Sequence, residues 1–332
     1  MCLLVVMVAL QGCSEENAKG PETIDTVQAF AETPKTWEKE YIEENKTLYI
    51  NANIIIPENR ILDSITLIRD ENNATRMANE LIMSQYGNVS HTSDWSWSVS
   101  SGERLITSFS VDTENWNAYY LDVAADQSGT HCEEEFLLKY DHITQVKPTG
   151  LEMTSGEAAE KVCNYFESFS ELEFLPYRVL CADSTNNPGQ GFYTVWAQAV
   201  CDGIPVCPRM DGKPVSLGVY AWISEEKIFS FQSVFLLKQD AKKEISAIVP
   251  LDIIVDQLGS SFSHFTDAVH VGVNKIVLEY YALQNSDGSY QLRPVWSFYG
   301  ESEAESNSVA MDWLFSYFAD DGTLCYAGPL FY

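Results

Sequence analysis

Positive charge is scarce in this sequence. Its 332 residues include 20 Lys and Arg against 48 Asp and Glu, which gives a formal net charge of −28. The acidic residues are spread along the chain rather than gathered in one tail, a pattern typical of a solvated surface. Such a surface repels the phosphates of nucleic acids and the headgroups of anionic lipids, so we exclude nucleic acid as a partner.

Catalytic and metal-binding motifs are also missing. The chain has no C-x-x-C pair, no H-E-x-x-H and no G-x-S-x-G, the signatures of zinc ribbons, zinc proteases and serine hydrolases. Residues 224–227 (SEEK) match the S-x-x-K of penicillin-recognising enzymes, but that motif needs a helix and these residues stand between two predicted strands. His264 and His270 lie six positions apart and do not converge on a helix. We therefore expect no catalytic residue, no metal site and no cofactor.

The apolar run that opens the chain is too short to cross a bilayer, which needs about 20 residues. It covers residues 1–10, and the sequence turns abruptly polar after Cys13. Residues 10–13 (LQGC) resemble a bacterial lipobox, in which the chain is cut before a cysteine that carries lipid. We therefore predict a lipoprotein signal peptide at residues 1–12 and lipidation at Cys13, so that this lipid alone anchors an extracytoplasmic protein to the bacterial membrane. The alternative is a buried N-terminal strand or helix. Because no Lys or Arg precedes Lys19, we expect the true start to lie a few residues upstream.

Cysteine spacing offers one local pairing. Of the eight cysteines, Cys2 leaves with the signal and Cys13 carries lipid, so six remain. An even number outside the cytoplasm is compatible with disulfides. Cys201 and Cys207 flank a short segment in which residues 202–203 (DG) can turn the chain, which makes them a candidate disulfide. The alternative is that each cysteine is buried as a small apolar side chain.

Two tryptophans form a second candidate site. Trp95 and Trp97 are separated by Ser96, so both indoles point the same way if the segment is extended. Paired indoles can stack on a sugar ring or anchor a protein partner, which makes Trp95 and Trp97 a candidate aromatic contact. The alternative is that they form the core edge of an N-terminal sheet.

Hydrophobic patterning divides the chain before residue 150 into a tether and a domain. Residues 13–35 are polar, contain Gly-Pro and a further Pro, and predict a tether. Residues 36–150 predict an α+β domain, since apolar residues alternate from Leu48 to Ile56 on one face of a strand and further strand-like runs follow.

Two further segments repeat the order of one helix followed by antiparallel strands. In residues 151–249, Thr154 and Glu157 are spaced as a capping box before a helical pattern. In residues 250–332, a helical stripe is followed by two strand runs that residues 285–288 (NSDG) connect as a hairpin turn. The predicted fold class is therefore α+β, with repeated modules of one helix packed on an antiparallel sheet.

These segments also resemble known families. Residues 154–166 (TSGEAAEKVCNYF), 191–206 (GFYTVWAQAVCDGIPV) and 218–231 (GVYAWISEEKIFSF) resemble a PepSY-type module, and residues 276–300 (IVLEYYALQNSDGSYQLRPVWSFYG) are similar to the end of the YycH/YycI-type extracytoplasmic regulators. The whole chain looks like an uncharacterised family of surface lipoproteins from gut bacteria. The resemblance implies PepSY-like and YycI-like modules over residues 150–332 and implies little about activity. The YycH/YycI regulators use a transmembrane helix and act on a sensor kinase, whereas this chain has a predicted lipid anchor.

Three functions remain open from the sequence. The first is a lipid-anchored extracytoplasmic binding or regulatory protein without catalytic activity that contacts another cell-envelope protein. It is favoured by the anchor, the tether and the missing nucleophile motifs, and the strand that ends the chain is predicted to offer an open sheet edge to an extended partner segment. The second is a solute- or glycan-binding surface lipoprotein. The third is a secreted hydrolase, which needs a catalytic constellation that the sequence lacks.

Overall fold

The structure is a computed structural model that is mostly antiparallel sheet with four α-helices, an α+β fold. It describes residues 21–43, 46–102, 104–114, 116–122, 129–136, 150–184, 191–208, 217–262, 270–302 and 312–329. The helices are α1 (Thr26–Glu32), α2 (Glu71–Ala78), α3 (Ser155–Glu167) and α4 (Leu251–Phe262).

The strands are listed here in chain order, and nearly all of them belong to two large sheets. They are β1 (Ile24–Asp25), β2 (Thr36–Glu43), β3 (Lys46–Ile55), β4 (Asp63–Arg69), β5 (Ser90–Ser93), β6 (Ser96–Ser101), β7 (Arg104–Val111), β8 (Ala118–Asp122), β9 (Gly129–Phe136), β10 (Glu173–Ser184), β11 (Gly191–Cys201), β12 (Ile204–Pro205), β13 (Gly218–Ile223), β14 (Ile228–Val234), β15 (Leu237–Glu244), β16 (Ala247–Ile248), β17 (His270–Gln284), β18 (Tyr290–Ser302), β19 (Asp312–Phe318) and β20 (Leu324–Pro329).

The middle of the chain forms a ten-stranded antiparallel sheet. Its strand order is β5-β6-β7-β8-β14-β13-β11-β10-β9, and the short β12 pairs with β11. Strands β8 and β14 are hydrogen-bonded neighbours, Phe231 lying opposite Tyr120. The predicted boundary at residue 150 therefore runs through one continuous sheet instead of separating two domains.

The first and last parts of the chain together form an eight-stranded sheet. Its order is β15-β4-β18-β17-β3-β2, and β19 and β20 extend it from β18. Strands β3 and β17 run parallel, with Val271 opposite Leu48 and Val273 opposite Ile50. The predicted segments 36–150 and 250–332 thus share a sheet, so the predicted boundary at 250 does not separate domains either.

One continuous core joins the two sheets. It takes apolar side chains from both sheets and from all four helices. The alternation predicted for β3 is confirmed, since Leu48, Ile50 and Ala52 are buried in this core. Strands and helices each bury one apolar face in it, which is the α+β arrangement.

The segment predicted as the end of a tether is folded onto the body. Strand β1 pairs with β16, Ile24 lying opposite Ile248. Helix α1 starts at the cap residue Asp25, whose carboxylate accepts from the Val27 backbone at 2.9 Å, and its Phe30 is buried in the core. Pattern reasoning missed α1 because a helix of seven residues has too few apolar positions to establish a period.

Helix α3 begins as the sequence predicts. The Thr154 hydroxyl accepts from the Glu157 backbone N–H at 3.3 Å, and the Glu157 carboxylate accepts from the Thr154 backbone N–H at 2.7 Å. This is the reciprocal capping box. The helix lies on β10 and β11, and its buried side chains belong to the core.

The chain crosses between the two sheets at a junction organised by Trp116. One crossing leads from β4 into α2 through Asp70, and the other leads from β14 into β15 through Leu236. The Leu236 carbonyl accepts from the Asp70 backbone N–H at 2.9 Å and from the Trp116 indole N–H at 2.6 Å. The Arg69 guanidinium stacks 5.2 Å from the Trp116 ring centroid. Both crossings are therefore tied to one fully buried indole.

Among the described residues, no helix has both the length and the apolar character needed to span a membrane. The predicted signal peptide at residues 1–12 and Cys13 lie outside the described residues.

Candidate functional site

The predicted aromatic contact at Trp95 and Trp97 belongs to the core. Trp97 is buried and stacks on Phe109 with 5.7 Å between ring centroids. Trp95 lies in the turn before β6 and meets the rings of Trp97 at 6.1 Å and Trp116 at 5.1 Å, edge to face in both cases. The pair does lie on one side, as the alternation predicts, but that side faces inward and its burial leaves Trp97 no surface for a ligand.

The predicted disulfide between Cys201 and Cys207 is not formed. No disulfide joins the two sulfur atoms, and the Tyr299 hydroxyl lies 3.9 Å from Cys207 Sγ. Residues 202–203 do make the predicted tight turn, with positive φ at Asp202 and Gly203. The short strand β12 follows the turn and places Cys207 away from Cys201. Cys201 packs in the main core, whereas Cys207 belongs to a separate cluster on the other side of the eight-stranded sheet, so two buried thiols occupy different apolar sites.

The S-x-x-K segment is a structural hairpin between β13 and β14, as predicted. The Ser224 backbone N–H donates to the Lys227 carbonyl at 3.0 Å, which closes the turn. Lys227 pairs at 2.6 Å with the buried carboxylate of Asp122 on β8, and the Glu225 carboxylate accepts from the Met153 backbone N–H at 3.0 Å. The charged side chains of this hairpin therefore link it to β8 and to the segment before α3.

A groove of about 350 Å³ opens beside the junction of the two sheets. Arg69, Glu114, Gln284 and the turn at residues 285–288 line it, and the Gln284 amide donates to the Glu114 carbonyl at 2.9 Å. Apart from Gly288, every lining side chain is polar or charged. Sites for small molecules are lined mainly by apolar groups, so the groove lacks the lining of such a site.

No cluster of three or more His, Cys, Asp or Glu side chains is arranged to hold a metal ion within the described ranges. His264 lies outside those ranges, and His270 is the first residue of β17.

An apolar cluster lies on the outer face of the eight-stranded sheet. We call it the outer cluster; its buried members are Cys207, Val277, Tyr281, Val295, Tyr299, Leu314 and Phe318. Cys325 and Tyr326 of β20 pack against it. Strand β20 is therefore attached through side chains as well as through its hydrogen bonds to β19.

The outer cluster encloses an ionisable pair. Glu279 is 1% exposed, and its carboxylate accepts from the Tyr299 hydroxyl at 2.7 Å. Burial raises the pKa of Glu279 above its ordinary value, while hydrogen bonds from Ser297 and Tyr299 and the charge of Lys275 oppose that rise. Burial lowers the pKa of Lys275, whose ammonium lies 4.2 Å from the Tyr299 ring centroid. The sequence does not predict that Glu279 is buried near Lys275, because two charged residues four positions apart in a strand are typical of a solvated face.

Strand β20 forms an uncharged edge of the eight-stranded sheet. Within the described residues, β20 pairs with β19 alone, and its sequence LCYAGP carries no charge. The other edge strands of this sheet, β2 and β15, carry alternating or clustered charges (TWEKEYIE and LKQDAKKE). Charges on an edge strand discourage pairing with further strands, so β20 lacks the protection that β2 and β15 have.

The β19–β20 turn holds the β20 edge in place. Gly322 takes φ +75° and donates to the Phe318 carbonyl at 2.8 Å. Arg293 pairs with Asp320 at 2.6 Å and Asp321 at 2.8 Å, and its guanidinium stacks on the Phe318 ring. The first residue of β20, Leu324, is nevertheless 44% exposed. Within the described residues, β20 is thus a partly apolar strand that pairs with β19 alone.

Comparison with solved structures shows a related architecture. The chain is similar to an uncharacterised protein from Eubacterium rectale, with a TM-score of 0.60 and 15% sequence identity over 91% of this chain and 97% of that one. The two chains share a fold. The C-terminal domain of Bacillus megaterium YpeB also matches, with a TM-score of 0.34 and 15% identity over 79% of this chain and 98% of that one. No protein-family model matches the chain, and no curated protein is similar to it at a significant level.

Proposed function

We propose that the protein is a lipid-anchored extracytoplasmic binding or regulatory protein without catalytic activity, which contacts another cell-envelope protein through the β20 edge. The observation that carries the proposal is the uncharged edge of β20, the strand that pairs with β19 alone among the described residues. An extended segment of a partner can add to such an edge by backbone hydrogen bonds, while pockets beside it select its side chains.

The charge around the β20 edge indicates the chemistry of the partner segment. Asp320 and Asp321 lie in the turn at one end of the β19–β20 hairpin, and Asp312 starts β19 at the other end. The whole chain carries a net charge of −28. A segment that is uncharged in its middle and basic at its ends fits this edge, because opposite charges steer association.

We also propose that the fold consists of repeated PepSY-like units. The order of elements supports this proposal, since each of the four helices is followed by a run of antiparallel strands: α1 by β2 to β4, α2 by β5 to β8, α3 by β10 to β14, and α4 by β17 to β20. In this scheme each sheet is assembled from more than one unit, joined at β8–β14 in one sheet and at β3–β17 in the other.

The anchor is tested by replacing Cys13 with alanine. We expect the wild-type protein to take up labelled palmitate and to fractionate with membranes, and we expect Cys13→Ala to lose both properties, because the thiol is the acceptor of the lipid. A Cys13→Ala protein that still carries label and stays with membranes contradicts the anchor.

The partner site is tested by placing a charge on the β20 edge. We expect Leu324→Lys to reduce capture of a partner from solubilised envelope extract by about tenfold, equivalent to about 1.4 kcal/mol, because a lysine on an edge strand opposes strand addition. The matched control is Ile42→Lys on the opposite edge strand, β2, where the side chain is 67% exposed; it should capture the same protein as wild type. Equal capture by both variants, with unchanged melting temperatures, overturns the β20 edge as the interface.

A point substitution is preferable to deletion of the last strand. Removing residues 324–332 would strip Cys325 and Tyr326 from the outer cluster and leave buried Leu314 and Phe318 without their neighbours. Such a deletion should lower stability whether or not the edge binds a partner.

A further inference from the structure

The outer face of the ten-stranded sheet carries two cross-strand rows of side chains. Directly opposed residues on paired strands point to the same face. The first row, from β11 to β6, is Trp196, Tyr220, Gln232, Tyr119, Ser110 and Ser96. The second row, from β11 to β5, is Thr194, Trp222, Ser230, Leu121, Ser108, Ser98 and Ser90. We call these rows together the neutral face.

The neighbours along each strand show that the neutral face points away from the core. Val195, Ala221, Phe231, Phe109 and Trp97 alternate with residues of the two rows, and all five are buried in the main core. Because side chains alternate between the two faces of a strand, the rows lie on the opposite side. Tyr119 is 38% exposed, whereas Thr194 is fully buried. Trp222 packs on the buried rings of Phe192 and Phe229, and the remaining members of the rows are partly or fully exposed.

Between β11 and its far end neither row contains Asp, Glu, Lys or Arg. On the next strand, β10, the buried Arg178 lies opposite Trp196 and borders the neutral face. Charged residues make up 20% of the chain, and the solvated side of an antiparallel sheet is where they usually concentrate. The alternation SWSVSS in β6 and the spacing of serines in β7 place hydroxyl groups where Lys, Glu or Thr are ordinarily found. A surface kept free of charge on an acidic protein suits a neutral ligand.

Aromatic rings occupy the half of the neutral face towards β11. Trp196 and Tyr220 lie 4.9 Å apart between ring centroids, and Tyr220 and Trp222 lie 6.2 Å apart. The Trp222 indole N–H donates to the Tyr220 hydroxyl at 3.0 Å, and the Arg178 guanidinium stacks 4.8 Å from the Trp196 ring centroid. These contacts fix the rings in place, so they form a prearranged platform.

We infer that the neutral face binds an uncharged glycan chain, laid across the strands from the aromatic platform to the serines. The apolar faces of sugar rings pack on aromatic side chains, and sugar hydroxyls find both donors and acceptors in serine hydroxyls. With strands about 4.8 Å apart, a row of six strands spans about 24 Å, which is long enough for several sugar rings in line.

Two other occupants fit the neutral face less well. An extended peptide gains its affinity from backbone hydrogen bonds at a sheet edge, and the middle of a sheet has its backbone groups already paired. A second copy of this chain brings a further net charge of −28, so its approach is opposed by repulsion. An uncharged glycan needs no backbone partner in the sheet and is not repelled by the net charge of the chain.

The inference is tested by titrating the full chain with cellohexaose, chitohexaose and maltohexaose, each alone, and with hexagalacturonate as an anionic control. We expect binding to at least one neutral hexasaccharide, a change in tryptophan fluorescence, and no binding of hexagalacturonate. Tyr119→Ala should bind the same sugar about tenfold more weakly, since it removes one ring from the row. The matched control is Tyr49→Ala, which removes a 40% exposed tyrosine from the eight-stranded sheet and should bind as wild type does.

A second pair of variants separates binding from folding. Ser110→Asp adds a carboxylate to the neutral face without removing packed atoms and should also weaken sugar binding, whereas Asn51→Asp adds the same charge to an exposed position on β3 and should not. No binding of any neutral hexasaccharide at millimolar concentration overturns the inference. The inference is also overturned if Tyr119→Ala and Tyr49→Ala weaken sugar binding equally. Self-association of the wild type that Tyr119→Ala abolishes would overturn it as well, because the face would then bind a second copy of the chain.

Discussion

Replacing Trp116 with alanine should lower the free energy of unfolding by about 3–5 kcal/mol, the usual cost of truncating a buried tryptophan. The substitution removes more than apolar volume. It leaves the Leu236 carbonyl without its indole donor and takes away the ring on which the Arg69 guanidinium stacks. Because both chain crossings meet at this indole, the loss should also weaken the coupling between the two sheets.

Urea unfolding followed by circular dichroism measures both effects. We expect wild type to unfold in one transition and Trp116→Ala to unfold earlier, with the two sheets separating into distinct transitions. Trp95→Ala is the control, since Trp95 is partly buried and contacts the Trp116 ring at 5.1 Å. This variant should lose less stability than Trp116→Ala and should unfold in a single transition. A smaller cost for Trp116→Ala than for Trp95→Ala contradicts the role of the junction.

Replacing Lys275 with methionine should lower the free energy of unfolding at neutral pH, because the charge of Lys275 is one of the effects that favour the ionised form of the buried Glu279 carboxyl. The remaining charge is that of Glu279, which is enclosed in the outer cluster. Without Lys275 nearby, the pKa of Glu279 rises further, since the charge of Lys275 is one of the effects that lower it.

The pH dependence of this variant has a definite sign. A carboxyl whose pKa is raised by folding binds its proton more tightly in the folded state, so stability falls as pH rises above the ordinary glutamate value of 4.5. Below that value the carboxyl is protonated in both states and the cost disappears. Lys275→Met should therefore unfold at a lower denaturant concentration than wild type at pH 8 and approach wild type as the pH falls towards 4.

The double variant Lys275→Met/Glu279→Gln is the control for this prediction. It removes both charges, keeps an amide that can bond to Tyr299, and should recover most of the stability lost at pH 8. The electrostatic coupling between Lys275 and Glu279 is contradicted if Lys275→Met loses the same stability at pH 4 and pH 8. It is also contradicted if the double variant is no more stable than the single one.

Local features of the fold were predictable from the sequence. The capping box of Thr154 and Glu157 and the hairpin turn at residues 285–288 depend on neighbouring residues alone, and both are confirmed. The turn at residues 202–203 was predictable for the same reason. Each of these features is specified by residues that lie within a few positions of one another, so no knowledge of the rest of the fold is needed.

Sheet membership was not predictable, because it depends on partners far apart in the chain. Strand β3 has the expected alternation, but nothing in its sequence names β17 as its parallel neighbour. A division of the chain at residues 150 and 250 cannot anticipate such pairings. Cys201 and Cys207 show the same limit. Their spacing permits a disulfide, but the chain that includes β12 places the two thiols in different apolar clusters.

The candidate binding surfaces show that strand register determines which side chains lie together on one face of a sheet. The Trp95–Trp97 alternation drew attention to the aromatic side of this segment, which faces the core. The serine hydroxyl groups lie on the opposite, outer face of the sheet. Their alignment with Tyr119 and Tyr220 depends on the strand pairings from β11 to β6, which the sequence does not reveal. A one-residue slip of a single pairing would interrupt the row.

The parallel pairing of β3 with β17 also governs how the chain is made. Synthesis delivers β3 long before β17. Strand β3 can pair with β2 at once, but its other edge has no neighbour until the last part of the chain is made. Pairings between distant segments form slowly, and exposed strand edges favour aggregation. We therefore expect the eight-stranded sheet to be completed only after β17 is made.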